Sequence, residues 1–238
     1  MLNPILKTLV NKIRERKLRK KVEQLLANPT FEVNGKTYSG LALDVSPAGL
    51  SHHHCYPGGY IEHVVSTSNL ATALCDSVEE VYNGKVNRDL VAAGVLLHDI
   101  FKPITYAINR NGGYSPTGIA DCLDHSSLAI SELVRRGFPI ELVHIVAAHH
   151  GDYGPVKPRT IEALICHLAD LIDSRLNGEV LSAAAFLARK VTGEDLPRLT
   201  AQEAFEIINA KAAHGLDGVA RAIENIKHKR QGNKCSFP

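Results

Sequence analysis

One stretch of this chain is almost entirely apolar, and it ends in two residues that can bind a metal. Residues 90–97 read LVAAGVLL, and His98-Asp99 follows directly. A helix that is apolar on every face is buried in a protein core. A carboxylate carried into that core is costly unless a positive group meets it. The sequence therefore predicts a buried central helix whose end needs a cation.

Three other predicted helices also place metal-binding side chains where an apolar core would be expected. His63 lies in the first core helix, and His149 and His150 end a later one. Asp170 lies in the middle of a helix, with apolar neighbours on both sides. A divalent cation would satisfy all of these groups at once. Imidazole and carboxylate together suit Mn, Fe, Zn, Co or Ni, with Mg as an alternative, whereas carboxylates alone favour Mg or Ca.

Helical patterns dominate the chain from residue 60 onward, and a further helix is predicted at its start. Apolar residues recur with a period near 3.6, and Gly, Pro or Asn-Gly follows most of these segments. Residues 30–59 contain seven Gly or Pro residues and are predicted to be a loop with a small hairpin around Asn34-Gly35. The fold class is therefore predicted to be all-α. The predicted helices cover residues 2–27, 60–82, 88–99, 124–136, 139–150, 160–176, 182–192 and 201–229.

Composition excludes several classes of protein. The chain is 45% hydrophobic and 22% charged, which is typical of a globular domain and not of a disordered one. It has no apolar run near the roughly 18–20 residues that span a bilayer, and its start lacks a signal-type apolar stretch. We therefore expect a cytoplasmic protein without membrane contact. The five cysteines are scattered without a CxxC pair, which predicts neither a disulfide framework nor a cysteine zinc site.

The basic residues are concentrated near the start of the chain, although the formal net charge is only +2. Eight Lys or Arg residues lie between Lys7 and Lys21, against the single acidic residue Glu15. Such a run can contact RNA, DNA or an acidic surface. The alternative is a helix face that is simply solvated.

The spaced His and Asp residues follow the order H…HD…H…H…D, which resembles the HD-domain superfamily of metal-dependent phosphohydrolases. The resemblance covers roughly residues 50–180 and implies a helical bundle with two divalent metals. It implies that one set of residues ligates the first metal: His63, His98, Asp99 and Asp170. It implies that Asp99 bridges to a second metal, with His125 and His149 as ligands and His150 as a further candidate.

Two families within this superfamily share longer motifs with the chain. Residues 149–170 and 87–90 resemble the HD domain of YhaM-type 3′→5′ exoribonucleases. Residues 52–59, HHHCYPGG, together with His63, are similar to a motif of HD-type relaxases. Both families cleave phosphodiesters in nucleic acids. About 50 residues precede the histidine cluster, so we do not expect the oligonucleotide-binding N-terminal domain of the exoribonucleases.

The resemblance implies a phosphodiesterase or nuclease that acts on nucleotides or oligonucleotides through a water shared by two metals bridged by Asp99. Lys102 follows His98-Asp99 as in family members that read HDxxK, although Phe101 stands where many relatives have Gly. Lys102, His53 and His54 are candidates for neutralising the phosphate or aiding the leaving group. The alternatives are a nucleotide monophosphatase and a non-catalytic module that binds nucleic acid or nucleotides.

The domain organisation predicted from these patterns has four segments. A basic N-terminal helix covers 1–28, a loop or short hairpin covers 29–59, the HD core covers 60–180 and further helices cover 181–238. Some polar residues are predicted to lie outside the metal site. Asp124 is expected to cap a helix, and Asp173 to cap or pair on the surface. His144 is expected to pack or lie on the surface, and His167 to be either a partner of Asp170 or a core residue.

Overall fold

The computed structural model describes residues 2–234, so the last four residues of the predicted segment 181–238 lie outside the described residues. The fold class is all-α, as predicted. The helices are α1 (Pro4–Val10), α2 (Arg16–Ala27), α3 (Gly59–Asp76), α4 (Arg88–Leu97), α5 (Lys102–Thr105), α6 (His125–Arg135), α7 (Ile140–Ala147), α8 (Ile161–Thr192) and α9 (Ala201–Lys234). A π-helical turn, Ser77–Val81, extends α3, and a 3-10 turn, Gly151–Tyr153, follows α7. Two antiparallel hairpins complete the chain: β1 (Phe31–Val33) with β2 (Lys36–Tyr38), and β3 (Tyr106–Ile108) with β4 (Tyr114–Pro116).

The hairpin predicted around Asn34-Gly35 is present, and its turn explains why those residues are needed. Strand β1 pairs with β2 so that Phe31 lies opposite Tyr38. Asn34 and Gly35 both have positive φ, 50° and 72°. A two-residue turn with positive φ at both positions matches the twist of the strands, and Asn-Gly adopts it most easily.

The single helix predicted over 2–27 is wrong, because the chain forms two helices there. Asp89, at the start of α4, accepts hydrogen bonds from the backbone N–H of Arg14 (2.9 Å) and Glu15 (2.7 Å). The Glu15 carboxylate in turn accepts from the N–H of Lys17 and begins α2 as its cap. A long-range carboxylate therefore interrupts a helix that the local pattern could not divide.

The opposite error occurs in α8, where two predicted helices are one. The predicted helix over 160–176 ends just before Gly178, yet α8 continues through Gly178 to Thr192 and has 32 residues in all. A Cβ at this position would lie 3.0 Å from the carbonyl oxygen of His52. Gly178 therefore permits the close approach of the 52–59 loop to α8 and does not act as a helix end.

The main core surrounds α4, whose apolar face is buried as the sequence predicts. Leu96, Leu97 and Phe101 are almost completely buried. Gly94 faces α7, and a Cβ there would clash with the side chain of Ile145. The absence of a side chain lets α4 and α7 pack closely. Their C-terminal ends, which carry the candidate metal ligands, are thereby brought together.

A second, smaller core joins the end of α8 to α9. Its buried residues include Leu181, Ala184 and Ile207. The predicted helix over 201–229 is interrupted at His214 and Gly215, whose backbone angles are non-helical. The chain reverses at this point, which brings Arg230 Nη2 within 2.6 Å of Glu203 Oε2. Within the described residues, no helix is long and apolar enough to span a membrane.

Candidate metal centre

The seven predicted metal ligands come from five parts of the fold and meet at one place. The ends of α4 and α7 supply most of them, α3 and α8 each add one, and the first residue of α6 completes the set. The residues are His63, His98, Asp99, His125, His149, His150 and Asp170. Residues up to 107 positions apart in sequence therefore form one cluster, as the order of the motif predicts.

Asp99 lies at the centre of this cluster, and each of its carboxylate oxygens faces a different pair of histidines. Oδ2 lies 3.4 Å from Nε2 of both His63 and His98. Oδ1 lies 3.2 Å from Nε2 of His125 and 3.7 Å from Nε2 of His149. The residue is 1% exposed. One carboxylate can thus belong to two binding positions at once.

Neither oxygen of Asp99 accepts a well-oriented hydrogen bond from the described residues. The Lys102 ammonium lies 2.6 Å from Oδ2 and forms an ion pair with it, although not in hydrogen-bond orientation. Buried carboxylates normally have partners on both oxygens, because an unpaired buried charge is costly. Cations between Asp99 and the histidines would satisfy both oxygens.

Hydrogen bonds on the far side of three imidazoles determine which nitrogen faces the cluster. Nδ1 of His98 donates to the carbonyl oxygen of Val95 (2.8 Å), and Nδ1 of His149 donates to that of Val146 (2.6 Å). Nδ1 of His63 donates to Asp173 Oδ2 (2.7 Å). With Nδ1 engaged in this way, Nε2 is the nitrogen that faces the cluster, and it can bind a metal once it is deprotonated. Burial lowers the pKa of His98, but Asp99 and Asp170 outweigh it and raise that pKa to about 9, so metal binding there displaces a proton.

The ligand atoms divide into two groups that share Asp99. In the first, Nε2 of His63 lies 3.1 Å from Nε2 of His98 and 3.2 Å from Asp170 Oδ1. In the second, Nε2 of His125 lies 3.4 Å from Nε2 of His149, and the centroid of the His150 ring lies 3.9 Å from that of the His149 ring. Within each group the ligand atoms lie within 4.8 Å of one another. This mixture of nitrogen and oxygen donors fits a first-row divalent metal.

Burial and charge act against each other in the pKa values of this cluster. Burial alone raises the pKa of Asp99, but Lys102 and His98 outweigh it and hold that pKa well below its usual value. Burial and the charge of His98 both lower the pKa of His149 well below its usual value. At neutral pH the carboxylate is therefore ionised and His149 is neutral. Both are in the protonation state that metal binding needs.

The predicted catalytic residues Lys102, His53 and His54 surround the first group. Lys102 is 9% exposed, with its ammonium against Asp99. Nε2 of His53 lies 3.4 Å from the hydroxyl of Ser174, which itself donates to Asp170. Burial lowers the pKa of His53 to about 4 and that of His54 to about 3. At neutral pH these two histidines are uncharged and offer N–H groups, whereas Lys102 carries a positive charge.

The 52–59 loop holds these histidines against the site. Part of its backbone is strained. His52 and His54 have positive φ, 61° and 45°, which is uncommon for residues with a side chain. The backbone N–H of His54 donates to Asn177 Oδ1 (2.7 Å), and Asn177 Nδ2 donates to the Tyr56 hydroxyl (3.2 Å). A Cβ on Gly59 would clash with the His54 carbonyl. The motif therefore folds as a compact cover anchored on α8.

Asp173 was predicted to lie on the surface, and this is wrong. It is 3% exposed and accepts the Nδ1–H of His63. Asp170, Asp173 and Asn177 follow each other at helical spacing, so they share the inner face of α8. A polar stripe inside an apolar helix was the signal that could have identified Asp173 and Asn177.

Three other polar residues have structural roles outside the ligand set. Asp124 caps α6 by accepting from the N–H of Ser127, which confirms the prediction. His167 donates from Nδ1 to the carbonyl oxygen of His149 (2.7 Å), so it supports the second group and does not contact Asp170 through this bond. His144 accepts from the N–H of Arg159.

Removing the Asp173 carboxylate should weaken metal binding. We expect Asp173→Ala to lower metal affinity by about 10- to 100-fold, because His63 loses the partner that fixes its orientation and protonation. Asp173→Asn keeps an acceptor oxygen and should lose less. Competition with a chromophoric chelator measures the affinity, and Ser182→Ala, on the opposite face of α8, is the control. Equal affinities for Asp173→Ala and the control would contradict this role.

Comparison with known proteins matches this arrangement to one family. The HD domain model matches residues 60–175, a range that contains all seven candidate ligands, Lys102 and Asp173. The dihydroneopterin 2′,3′-cyclic phosphate phosphodiesterase of Methanocaldococcus jannaschii is 37% identical over 222 residues, covering 92% of this chain and 86% of that enzyme. The chain belongs to the HD-domain family.

Other HD-domain relatives match over a shorter range. The 3′-5′ exoribonuclease YhaM of Listeria monocytogenes is 34% identical over 142 residues, and that of Bacillus subtilis is 32% identical over 142 residues. Each match covers 55% of this chain and 43% of the exoribonuclease. The search of solved structures gives no significant match. Together with the metal-competent cluster, these relatives make the chain a metal-dependent phosphohydrolase.

Proposed function

We propose that this protein is a phosphodiesterase that hydrolyses a small 2′,3′-cyclic phosphodiester at a centre of two divalent cations. The observation that carries the reaction type is the position of Asp99, whose two buried oxygens face two separate pairs of histidines. A carboxylate shared between two cations is typical of sites that activate water for in-line displacement at phosphorus.

Each group of side chains would hold one cation, with Asp99 shared between them. His63, His98 and Asp170 would hold the first, and His125, His149 and His150 the second. Mn, Fe, Zn, Co or Ni suit this set best, and Mg is the alternative. When bound, such cations lower the pKa of water and neutralise charge on phosphoryl oxygens.

The remaining chemistry belongs to the side chains around this centre. Hydrolysis adds water to phosphorus, breaks one ester P–O bond and delivers one proton to the departing oxygen. Lys102 is the buried ammonium beside Asp99 and is our candidate for holding a phosphoryl oxygen. His53 and His54, neutral at pH 7, are our candidates for hydrogen bonding to the departing oxygen. In the 52–59 loop, His54 is 3% exposed, so its side chain is shielded from solvent.

Two observations favour a small cyclic substrate over a long oligonucleotide. The match to the cyclic phosphate phosphodiesterase extends over 92% of the chain, against 55% for the exoribonucleases. The basic run also lies far from the metal centre. Arg14 and Glu15 contact Asp89 at the start of α4, and Asp99 lies ten residues further along the chain, which is about 15 Å in a helix. A small substrate at the centre has no need of these lysines and arginines.

The test compares four phosphoesters with the metal-free and the Mn²⁺-loaded protein. They are a nucleoside 2′,3′-cyclic monophosphate, bis-p-nitrophenyl phosphate, a nucleoside monophosphate and a 5′-labelled RNA oligomer. We expect metal-dependent ring opening of the cyclic compound to be fastest, and loss of activity in excess EDTA. Stepwise shortening of the RNA at a higher rate would instead favour an exoribonuclease, and release of inorganic phosphate from the monophosphate would favour a phosphatase. Equal rates with and without metal would contradict the proposed centre.

A further inference from the structure

The outward face of α8 exposes a row of large apolar side chains. Phe186 is 65% exposed and Leu176 is 56% exposed, while Leu164, Leu171 and Ile172 are each about 40% exposed. Ala183 is also exposed, and Leu168 is partly buried. At about 100° per residue, the row covers an arc of roughly 140° and a length of roughly 33 Å. We define the α8 outer face as Leu164, Leu168, Leu171, Ile172, Leu176, Ala183 and Phe186, with Arg175 and Glu179 between them.

In the part of the chain that the structure describes, the residues of α8 that serve the metal centre and the second core lie on its other faces. Asp170, Asp173 and Asn177 point the other way, toward the metal centre. Further along, Leu181 and Ala184 pack inward against α9. A helix with polar groups inside and apolar groups outside exposes hydrophobic surface that water disfavours. Exposed apolar patches of this size mark interaction surfaces.

We propose that the α8 outer face binds the same face of a second copy of this chain, with the two α8 helices antiparallel about a twofold axis. The twofold axis crosses α8 at the level of residue 177. A residue that lies a given number of positions before 177 in one copy therefore faces the residue that lies the same number of positions after 177 in the other copy. A twofold contact of this kind brings one patch against itself and closes at the dimer.

The two charged residues of the face favour a second copy as the partner and an antiparallel direction of the two helices. Arg175 and Glu179 have opposite charges and lie two positions on either side of residue 177. Within one chain they are 3.5 Å apart, and their side chains are 77% and 74% exposed. In the antiparallel pair, Arg175 of each copy faces Glu179 of the other. A parallel, in-register pair would instead oppose like charges, which is unfavourable.

The sizes of the apolar side chains agree with the same axis. Leu171 then lies opposite Ala183, and Ile172 lies opposite Ser182, so large residues meet small ones. Leu168 of one copy lies opposite Phe186 of the other, so an apolar pair lies at each end of the contact. Such alternation of large and small residues lets helices interdigitate. The metal centre, on the other side of α8, stays open in the dimer.

Sedimentation velocity over a concentration series up to about 100 µM tests the dimer. We expect the wild-type protein to sediment as a dimer, and Ile172→Glu to sediment as a monomer. Ile140→Glu is the matched control, since Ile140 is 71% exposed on α7 and outside the face. It should remain dimeric. A monomeric wild type throughout the series, or a dimeric Ile172→Glu, would overturn the proposal.

Charge reversal tests the axis itself. Arg175→Glu gathers four carboxylates at the crossing, and we expect it to weaken dimerisation at least tenfold. The double variant Arg175→Glu/Glu179→Arg restores opposite charges and should restore the dimer. Failure of the double variant to recover would contradict the antiparallel arrangement. Phosphodiesterase activity per chain is measured in the same samples. Because the metal centre is independent of this face, the sedimentation result stands whether or not the protein shows that activity.

Discussion

Replacing Asp99 with asparagine should lower phosphodiesterase activity by on the order of 10³-fold or more. Asparagine keeps the size of the side chain but has no charge and only one acceptor oxygen. It cannot serve both the His63–His98 side and the His125–His149 side. The shared position of the centre would therefore be lost even if individual histidines still bind a cation weakly.

Metal content and activity together test this expectation. Elemental analysis should find less metal per chain in Asp99→Asn than in the wild type. Asp195→Asn is the control, because Asp195 is an exposed carboxylate that pairs with Arg189 and lies beyond the end of α8. Its metal content and rate should match the wild type. Full activity in Asp99→Asn, with unchanged metal content, would show that the reaction does not depend on a shared carboxylate.

Replacing Glu132 with glutamine should destabilise the fold by about 3 kcal/mol, or roughly 6–12 °C in melting temperature. Glu132 is 1% exposed in α6. Its carboxylate accepts from Arg135 at 2.9 and 2.8 Å, from Arg136 at 2.8 Å and from the backbone N–H of Glu32 at 2.9 Å. One charged group therefore attaches the N-terminal hairpin to the helical core. Glutamine offers one acceptor oxygen and turns an amide N–H₂ toward cations.

The effect should depend on pH in a direction set by the pKa of Glu132. Burial raises that pKa, but Arg135 and Arg136 outweigh burial and lower it. A carboxyl whose pKa is lower in the folded state contributes stability above its unfolded pKa of about 4.3. That contribution is lost as the pH falls through the folded value. Wild type and Glu132→Gln should therefore differ most near neutral pH and converge in acid.

Thermal unfolding from pH 7 down to pH 3 measures this convergence. Glu141→Gln serves as the control, because Glu141 is an exposed carboxyl on the neighbouring helix α7. Its melting temperature should follow that of the wild type at every pH. A constant difference between wild type and Glu132→Gln across the range would mean that the loss comes from packing and not from charge.

The sequence predicted the fold class and the composition of the metal centre, for physical reasons that are local. Each candidate ligand lies in or beside an apolar helix, where an ionisable group is costly unless a partner compensates for its burial. This is why His98, Asp99 and Asp170 could be selected from the sequence. That these residues bind metal remains a prediction, although the structure brings them together.

Errors occurred where a distant group changes local behaviour. Asp89 divides the N-terminal helix by capturing two backbone N–H groups, and no pattern within residues 2–27 indicates this. Gly178 resembles a helix end but makes room for the 52–59 loop. Asp173 resembles a surface residue because its partner, His63, is 110 positions away.

The sequence by itself determined the all-α class, most of the helical segments, and the candidate ligands that bring imidazole or carboxylate into the core, although not Asp173. Only the tertiary structure decided how these groups face one another. It assigned each oxygen of Asp99 to a different pair of histidines, and it gave His63 its partner Asp173. The reason is that helical periodicity acts over a few residues, whereas the relative orientation of buried groups depends on close packing between helices far apart in the chain.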